Sequence, residues 1–190
     1  MSFKEHGIRH DRSQKLIDHA YEFAKAAHGD QQRKYTFAPY ITHPVAVARL
    51  VSSVTNDCEM ICAALMHDVI EDTPVTFDQI RDEFGLYVAD YVMELTDHHS
   101  DPAIGNRSVR KAKECERLRG VSENAQTIKL ADMIDNSASI AKHDPDFAKV
   151  YMAEKFNLLI ALKGGHSVLW NQASDIVTNY FTKAGWNGIN

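Results

Sequence analysis

Apolar residues recur at helical spacing along almost the whole chain, and nowhere do they alternate with polar ones long enough to predict a strand. Leu16, Ile17, Ala20, Tyr21, Phe23, Ala24 and Ala27 form the first stripe, with Ser13 as its expected cap and Gly29-Asp30 as its end. Residues 31–42 hold Arg33, Lys34, three aromatics and Pro39, and read as a loop. His43-Pro44 opens a second helix, because proline suits a first turn. Its face is Val45, Val47, Ala48, Leu50, Val51 and Val54. Asn56 or Asp57 caps a third helix, predicted to run unbroken to about Asp72, where Thr73-Pro74 stops it. Thr76 begins a short helix over 77–84, Gly85 breaks it, and another follows over 86–96. Residues 97–106 read as a loop and 107–119 as a charged helix. Ser122 caps a long helix from Ala125 to about Lys142, and Asp144-Pro145 starts the next, which runs to about Leu162. Gly164-Gly165 ends it, and Ser167 opens a last helix to about Ala184. No repeat or linker interrupts the series, so the pattern predicts one all-α domain over residues 1–190.

Composition narrows the class without naming a chemistry. A chain of 190 residues with 44% hydrophobic and 25% charged positions can bury one good core. A net charge of −5 argues against a broad nucleic-acid or membrane footprint, while leaving room for a small basic patch that holds a phosphorylated ligand. Cys58, Cys62 and Cys115 are an odd number with no second pair, so they read as small core residues rather than a zinc site. A reducing, cytoplasmic compartment is expected. The polar start Met1-Ser2-Phe3-Lys4-Glu5-His6 has no signal-peptide core, and no apolar run reaches membrane-spanning length. Ten histidines are many for this size.

One segment breaks the helical pattern chemically. Residues 67–72 read His-Asp-Val-Ile-Glu-Asp directly after the apolar run Ile61-Cys62-Ala63-Ala64-Leu65-Met66. Charges in such a setting are costly unless paired or bound to a metal. On one helix, His67 and Glu71 would lie a turn apart, and so would Asp68 and Asp72. The vicinal pair His67-Asp68 offers two ligands to one ion, leaving Glu71 and Asp72 to manage water and protons. A salt-bridged helix end is the plainer reading, but it leaves the apolar lead-in unexplained.

Two other places can complete a ligand set. His43 stands at a helix start, free to point into a cleft, or else merely caps that helix. Asp132 lies among apolar neighbours on a long helix, with Asn136 one turn on, or else makes an ordinary polar helix contact. His43, His67, Asp68 and Asp132 together give two imidazoles and two carboxylates and no thiolate. That mixture suits Mn²⁺, Fe²⁺ or Zn²⁺ better than Ca²⁺, and ligand type alone does not choose among the three. The chemistry it predicts is metal-assisted hydrolysis.

At this point the sequence resembles the HD superfamily of metal-dependent phosphohydrolases, in the order His43, His67-Asp68, Asp132. Longer phrases narrow the likeness: Gln32-Arg33-Lys34, Pro39-Tyr40-Ile41-Thr42-His43-Pro44, Ala63 through Thr73, Phe84-Gly85, Leu95-Thr96, and Ile128-Lys129-Leu130-Ala131-Asp132 with Asn136. Together they are similar to the (p)ppGpp hydrolase domain of the RelA/SpoT family over about residues 15–160. The length leaves no place for a synthetase or regulatory segment, so the resemblance is to a hydrolase-only small alarmone hydrolase. It implies a helical HD bundle with a metal site in its core cleft. It implies removal of the 3′-pyrophosphate of ppGpp or pppGpp with Mn²⁺. By it His43, His67, Asp68 and Asp132 are the ligands, Glu71 and Asp72 position or deprotonate the attacking water, Arg33 and Lys34 line the nucleotide pocket, and Asn136 contacts the ribose or the metal shell. The expected partner is a small nucleotide; a homo-oligomer is compatible with the sequence.

The chain also departs from the family pattern. Tyr35-Thr36-Phe37-Ala38 lacks a glycine common after Arg-Lys. Thr96-Asp97-His98-His99-Ser100 replaces a phrase that usually holds Asp and Lys. Asp135 and Ser137-Ala138-Ser139 stand where hydrophobic or basic residues are common. These changes bear on base and phosphate contacts rather than on the metal set. His98, His99, Arg107, Arg110 or Lys111 can replace the missing lysine, or form a solvated surface. Two other functions compete: an HD phosphohydrolase for a pppApp-like alarmone or for the 2′-phosphate of NADPH, and a nucleotide-binding HD module without turnover. The Glu71-Asp72 pair argues against the last, since a sensor has no need to activate water.

Overall fold

Helix signals in the sequence become helices in the computed structural model, which describes residues 11–183. The order is α1 (Asp11–His28), α2 (Thr42–Ser52), α3 (Cys58–Met66), α4 (Val69–Asp72), α5 (Phe77–Phe84), α6 (Leu86–Leu95), a 3₁₀ turn at Pro102–Ile104, α7 (Arg107–Arg119), α8 (Glu123–His143), α9 (Pro145–Ala161) and α10 (Ser167–Lys183). Among the described residues there is no strand, only an isolated bridge between Gln32 and Pro39 that closes the loop carrying Arg33 and Lys34. The fold is all-α.

The caps explain most boundaries. The Asp57 carboxylate accepts from the backbone N–H groups of Glu59 and Met60. Thr76 and Gln79 form a reciprocal capping box on α5. Ser122 accepts from the Ala125 N–H, starting α8 two residues earlier than the apolar pattern suggested. Gly85, at φ 91°, lets α5 and α6 meet without a linker, in a conformation that L side chains rarely adopt. Ser13 is not a cap: α1 already includes it. The expected end of the last helix at Ala184 lies outside the described residues.

One correction matters for function. The third helix is not continuous to Asp72. It stops at Met66, and the chain turns at His67 and Asp68 before a short turn of helix, α4. Asp68 sits at φ −102°, ψ −4°, off the helical optimum. Asp72 N–H still donates to the Asp68 carbonyl at 2.9 Å, so those two keep their one-turn spacing. The bend takes the His-Asp pair off the regular helix and presents it at the edge of the core.

α3 is the hub. Met60 through Met66 are all buried, and α1, α2, α6 and α8 pack around it. α2 also packs on α8, while α9 and α10 lean on the far side of α8 and α7 lies against α9. The turn before α10 is pressed against α8: a Cβ at Gly165 would stand 2.6 Å from Leu130 Cδ1 and 3.1 Å from the Gln126 carbonyl carbon. That close approach requires glycine and holds the α8 segment that carries Asp132. No helix among the described residues is long and apolar enough to cross a membrane.

Candidate active site

Three elements bring the candidate ligands together. The first turn of α2 supplies His43, the bend between α3 and α4 supplies His67 and Asp68, and mid-α8 supplies Asp132. Because α2 and α3 both pack on α8, the three meet in the interior. His43 Nε2 lies 3.2 Å from Asp132 Oδ1 and 3.7 Å from Asp68 Oδ2. His67 Nε2 lies 3.1 Å from Asp68 Oδ2 and 3.9 Å from Asp132 Oδ1. Both rings are buried.

The hydrogen bonds fix how the rings are turned. His67 Nδ1 is 2.8 Å from the Ala64 carbonyl, which can only accept, so Nδ1 holds the proton. Nε2 then presents a lone pair, and it has no hydrogen-bond partner among the described residues although it is buried. A lone pair facing the Asp68 carboxylate across 3.1 Å is unfavourable, and a proton on Nε2 or a metal cation between the two relieves it. His43 is arranged alike: its Nδ1 lies 2.7 Å from the Asp135 carboxylate, which leaves Nε2 for Asp132 and Asp68. A carboxylate behind a ligating imidazole is a recurrent support for metal sites. The four residues therefore fit a divalent cation. Protonation tells the same story. Burial alone would lower the His43 pKa, but Asp132 and Asp135 outweigh it and hold it at about 9. Burial likewise opposes charge on Asp132, yet Lys129 and the two histidines keep it well below the ordinary carboxylate range. The site wants positive charge, which a proton on His43 supplies and a bound cation would replace.

Around this centre stand groups that orient it. Tyr40 donates to Asp68 Oδ2 at 2.6 Å; burial, then Asp68, raises its pKa and keeps it a donor. Lys129 pairs with Asp132 Oδ2 at 2.9 Å, and Asn136 donates to Asp132 Oδ1 at 2.6 Å. Glu71 lines the adjoining cleft and accepts from the Asp97 N–H at 3.0 Å, with its carboxyl pKa raised chiefly by burial. Asp72 lines it too, raised by burial and then by Asp68.

The cleft, about 1130 Å³, runs from this centre between α7 and α9. A second recess of about 240 Å³ is lined by Arg33, Lys34, Tyr35, Ser139, Ile140 and Phe147, and it shares Tyr40 and Asn136 with the cleft. Arg33 donates to Asn136 Oδ1 at 3.2 Å and to Asp135 Oδ2 at 3.0 Å, so its guanidinium is tied to the residue that also holds His43. Lys34 Nζ lies over the Tyr35 ring at 4.9 Å. Of the replacement cations considered from sequence, Arg107 and Lys111 line the cleft, paired with Glu154 and Asp97. His98 does not line it: it is exposed and faces the Met93 carbonyl. His99 pairs with Glu114, and Arg110 donates to the Ser100 carbonyl. Cys58, Cys62 and Cys115 are free thiols.

Sequence reasoning missed Tyr40 and Lys129, which contact Asp68 and Asp132, and saw Asp135 only as a departure. Lys129 carries a readable signal, its three-residue spacing to Asp132 on one helix face. Tyr40 carries none, since its partner Asp68 is 28 positions away.

Comparisons with known proteins follow this geometry. A family model described as HD domain matches residues 20–162. The chain is 34% identical over 162 residues to guanosine-3′,5′-bis(diphosphate) 3′-pyrophosphohydrolase MESH1 of Xenopus tropicalis, covering 81% of this chain and 88% of that one. It is 40% identical over 126 residues to the guanosine-3′,5′-bis(diphosphate) 3′-pyrophosphohydrolase of Aquifex aeolicus, but spans only 17% of that protein's length. A solved structure described as "A metazoan ortholog of SpoT hydrolyzes ppGpp and plays a role in starvation responses" superposes with a TM-score of 0.79 at 26% identity, covering 95% of this chain and 99% of that one.

Proposed function

The chain belongs to the HD-domain family, and from that premise we propose that it is a metal-dependent guanosine-3′,5′-bis(diphosphate) 3′-pyrophosphohydrolase, releasing GDP or GTP and pyrophosphate. One observation carries this reading: the His/Asp centre and the Arg33–Lys34 recess meet at Tyr40 and Asn136. A nucleotide can then place its base in the recess while its 3′-pyrophosphate reaches the centre. The Xenopus relative of nearly the same length bears the same activity in its name.

In this reading His43, His67, Asp68 and Asp132 hold the ion, with manganese our choice and Fe²⁺ or Zn²⁺ fitting the same donors. When bound, the ion polarises a phosphoryl oxygen and lowers the pKa of its water. The protein does the rest. Glu71 takes the proton of the attacking water, and Asp72 orients that water. A P–O bond forms to the water oxygen, the P–O3′ bond breaks, pyrophosphate leaves, and O3′ takes up the proton that Glu71 removed from water, restoring the ribose hydroxyl. Asn136 orients the ribose, and Arg33 and Lys34 hold the base and its phosphates. One domain over residues 1–190 acting in the cytoplasm completes the proposal, the free cysteines suiting a reducing compartment.

The test is product analysis of purified, Mn²⁺-loaded protein against ppGpp, ppApp and NADPH. GDP and pyrophosphate from ppGpp, abolished by chelator, is the expected result. Turnover of only ppApp or only NADPH would move the substrate to the competing nucleotide, and no turnover of any would leave a binding module.

Arg33→Ala should raise KM more than it lowers kcat. A charge-assisted hydrogen bond is worth roughly 1.5–3 kcal/mol, so KM should rise roughly 10- to 100-fold. Arg33→Lys should rescue poorly, since an ammonium has neither the plane nor the fork of a guanidinium. Steady-state kinetics of both variants on ppGpp decide this, and an unchanged KM in Arg33→Ala removes the recess from the binding site.

A further inference from the structure

Six cationic side chains line the large cleft: Arg107, Lys111, Arg119, Lys129, Lys149 and Lys155. Five of them have a carboxylate within ion-pair distance. Arg107 holds Glu154 at 2.7 Å, Lys111 holds Asp97 at 2.8 Å, Arg119 holds Glu116 at 2.8 Å, Lys129 holds Asp132 at 2.9 Å, and Lys149 holds Asp146 at 3.3 Å. Lys155 alone has no ion-pair partner among the described residues. Its ammonium rests over the Tyr151 ring, 4.7 Å from the centroid.

The acids whose charge acts on Lys155, Asp132 and Glu154, are already committed. Glu154 gives both carboxylate oxygens to Arg107, at 2.7 and 2.9 Å. Asp132 is shared among Lys129, His43 and Asn136. Burial, reinforced by repulsion from Lys129 and Lys111, pushes the Lys155 ammonium down to about 8. A desolvated cation without an anion is costly to keep, and in a cleft it marks a place where a ligand supplies the missing charge.

We propose that Lys155 is an anion receptor in the cleft that holds the terminal phosphoryl group of a pyrophosphate whose other phosphoryl lies at the His/Asp centre. The inference rests on the hydrolase reading and adds to it a device that counts phosphates. A single phosphate at the centre leaves Lys155 unsatisfied, whereas a pyrophosphate satisfies it.

Calorimetry with inorganic pyrophosphate and inorganic orthophosphate on the Mn²⁺-saturated full chain tests it. In Lys155→Met, pyrophosphate affinity should fall roughly tenfold or more, the size of a lost charge-assisted contact, with orthophosphate little changed. Lys155→Arg should recover part of the loss, because the charge is restored. Thermal melting of ligand-free Lys155→Met should match or exceed the unmodified chain, since an unpaired, half-buried charge has been removed. Undiminished pyrophosphate binding in Lys155→Met overturns the proposal. So does an equal loss for both anions, which marks only a general field, and so does a destabilised Lys155→Met, which marks a structural lysine. The probe is not turnover. Lys155-dependent pyrophosphate binding in a protein that releases no GDP from ppGpp would uphold this receptor while removing the hydrolase assignment. GDP release with Lys155-independent binding would do the reverse.

Discussion

Glu71→Gln should keep metal binding intact and cut turnover of ppGpp by about 10²- to 10⁴-fold, the range that a positioned acid–base group contributes. The substitution is chosen to preserve position. The Glu71 carboxylate accepts from the Asp97 N–H at 3.0 Å, and the amide oxygen of glutamine can accept the same bond. What the amide cannot do is take a proton from water. Glu71 is also no part of the His43, His67, Asp68 group whose ligand atoms lie within 4.8 Å of one another. Metal content by elemental analysis, set beside kcat, separates the two effects. The same carboxyl sets a pH dependence. Burial raises its pKa, and the base form is the active one, so activity should fall as pH drops through a value above the ordinary carboxylate range. In Glu71→Gln that acid limb should vanish. Near-normal turnover in the variant would mean that Asp72 takes the proton, or that the ion acidifies the water enough for solvent to take it.

Much of this centre was legible because each donor was an anomaly in its own neighbourhood. Asp132 interrupts a buried face of α8, and His67-Asp68 ends the most apolar stretch of the chain, where Met60 through Met66 are all buried. Helix ends were legible where the residue itself enforces them, as with the Asp57 cap, the Thr76 capping box and Gly85. The break at His67-Asp68 was not. No glycine or proline marks it. The side chains there are held instead by a bond from His67 to the Ala64 carbonyl three residues back and by a distant one, from the hydroxyl of Tyr40, 28 positions away, to Asp68. Helical periodicity has no access to such a competition. The second tier was hidden for the same reason. Asp135 reads as a departure from the family pattern until α2 is packed on α8, which brings it within 2.7 Å of His43 Nδ1. Lys155 reads as one more lysine on a helix until every other cleft cation is found to be paired.

Asp132→Ala should be the most destabilising change at the site, and for a reason separate from the metal. Lys129 reaches Asp132 Oδ2 at 2.9 Å, with side-chain exposures of only 18% and 9%. Burial opposes charge on Lys129, and the Asp132 carboxylate, the strongest of its attractions, holds it as a cation. Removing the carboxylate leaves that ammonium largely buried and uncompensated, a loss of about 3–5 kcal/mol by comparison with other broken buried pairs. Replacing the pair by apolar groups of similar size removes both charges at once and is often neutral. Lys129→Met combined with Asp132→Leu should therefore recover most of the stability that Asp132→Ala loses. Urea unfolding in the presence of chelator measures this without any contribution from the ion. Mn²⁺ should then stabilise only the unmodified chain, by about 2.7 kcal/mol at a hundredfold excess over its dissociation constant. Neither variant should respond, because both lack a ligand. A chelated Asp132→Ala protein as stable as the unmodified one would show that Lys129 finds water or another acid when Asp132 is gone. A Mn²⁺ response in the double variant would remove Asp132 from the ligand set while leaving its pairing with Lys129 in place.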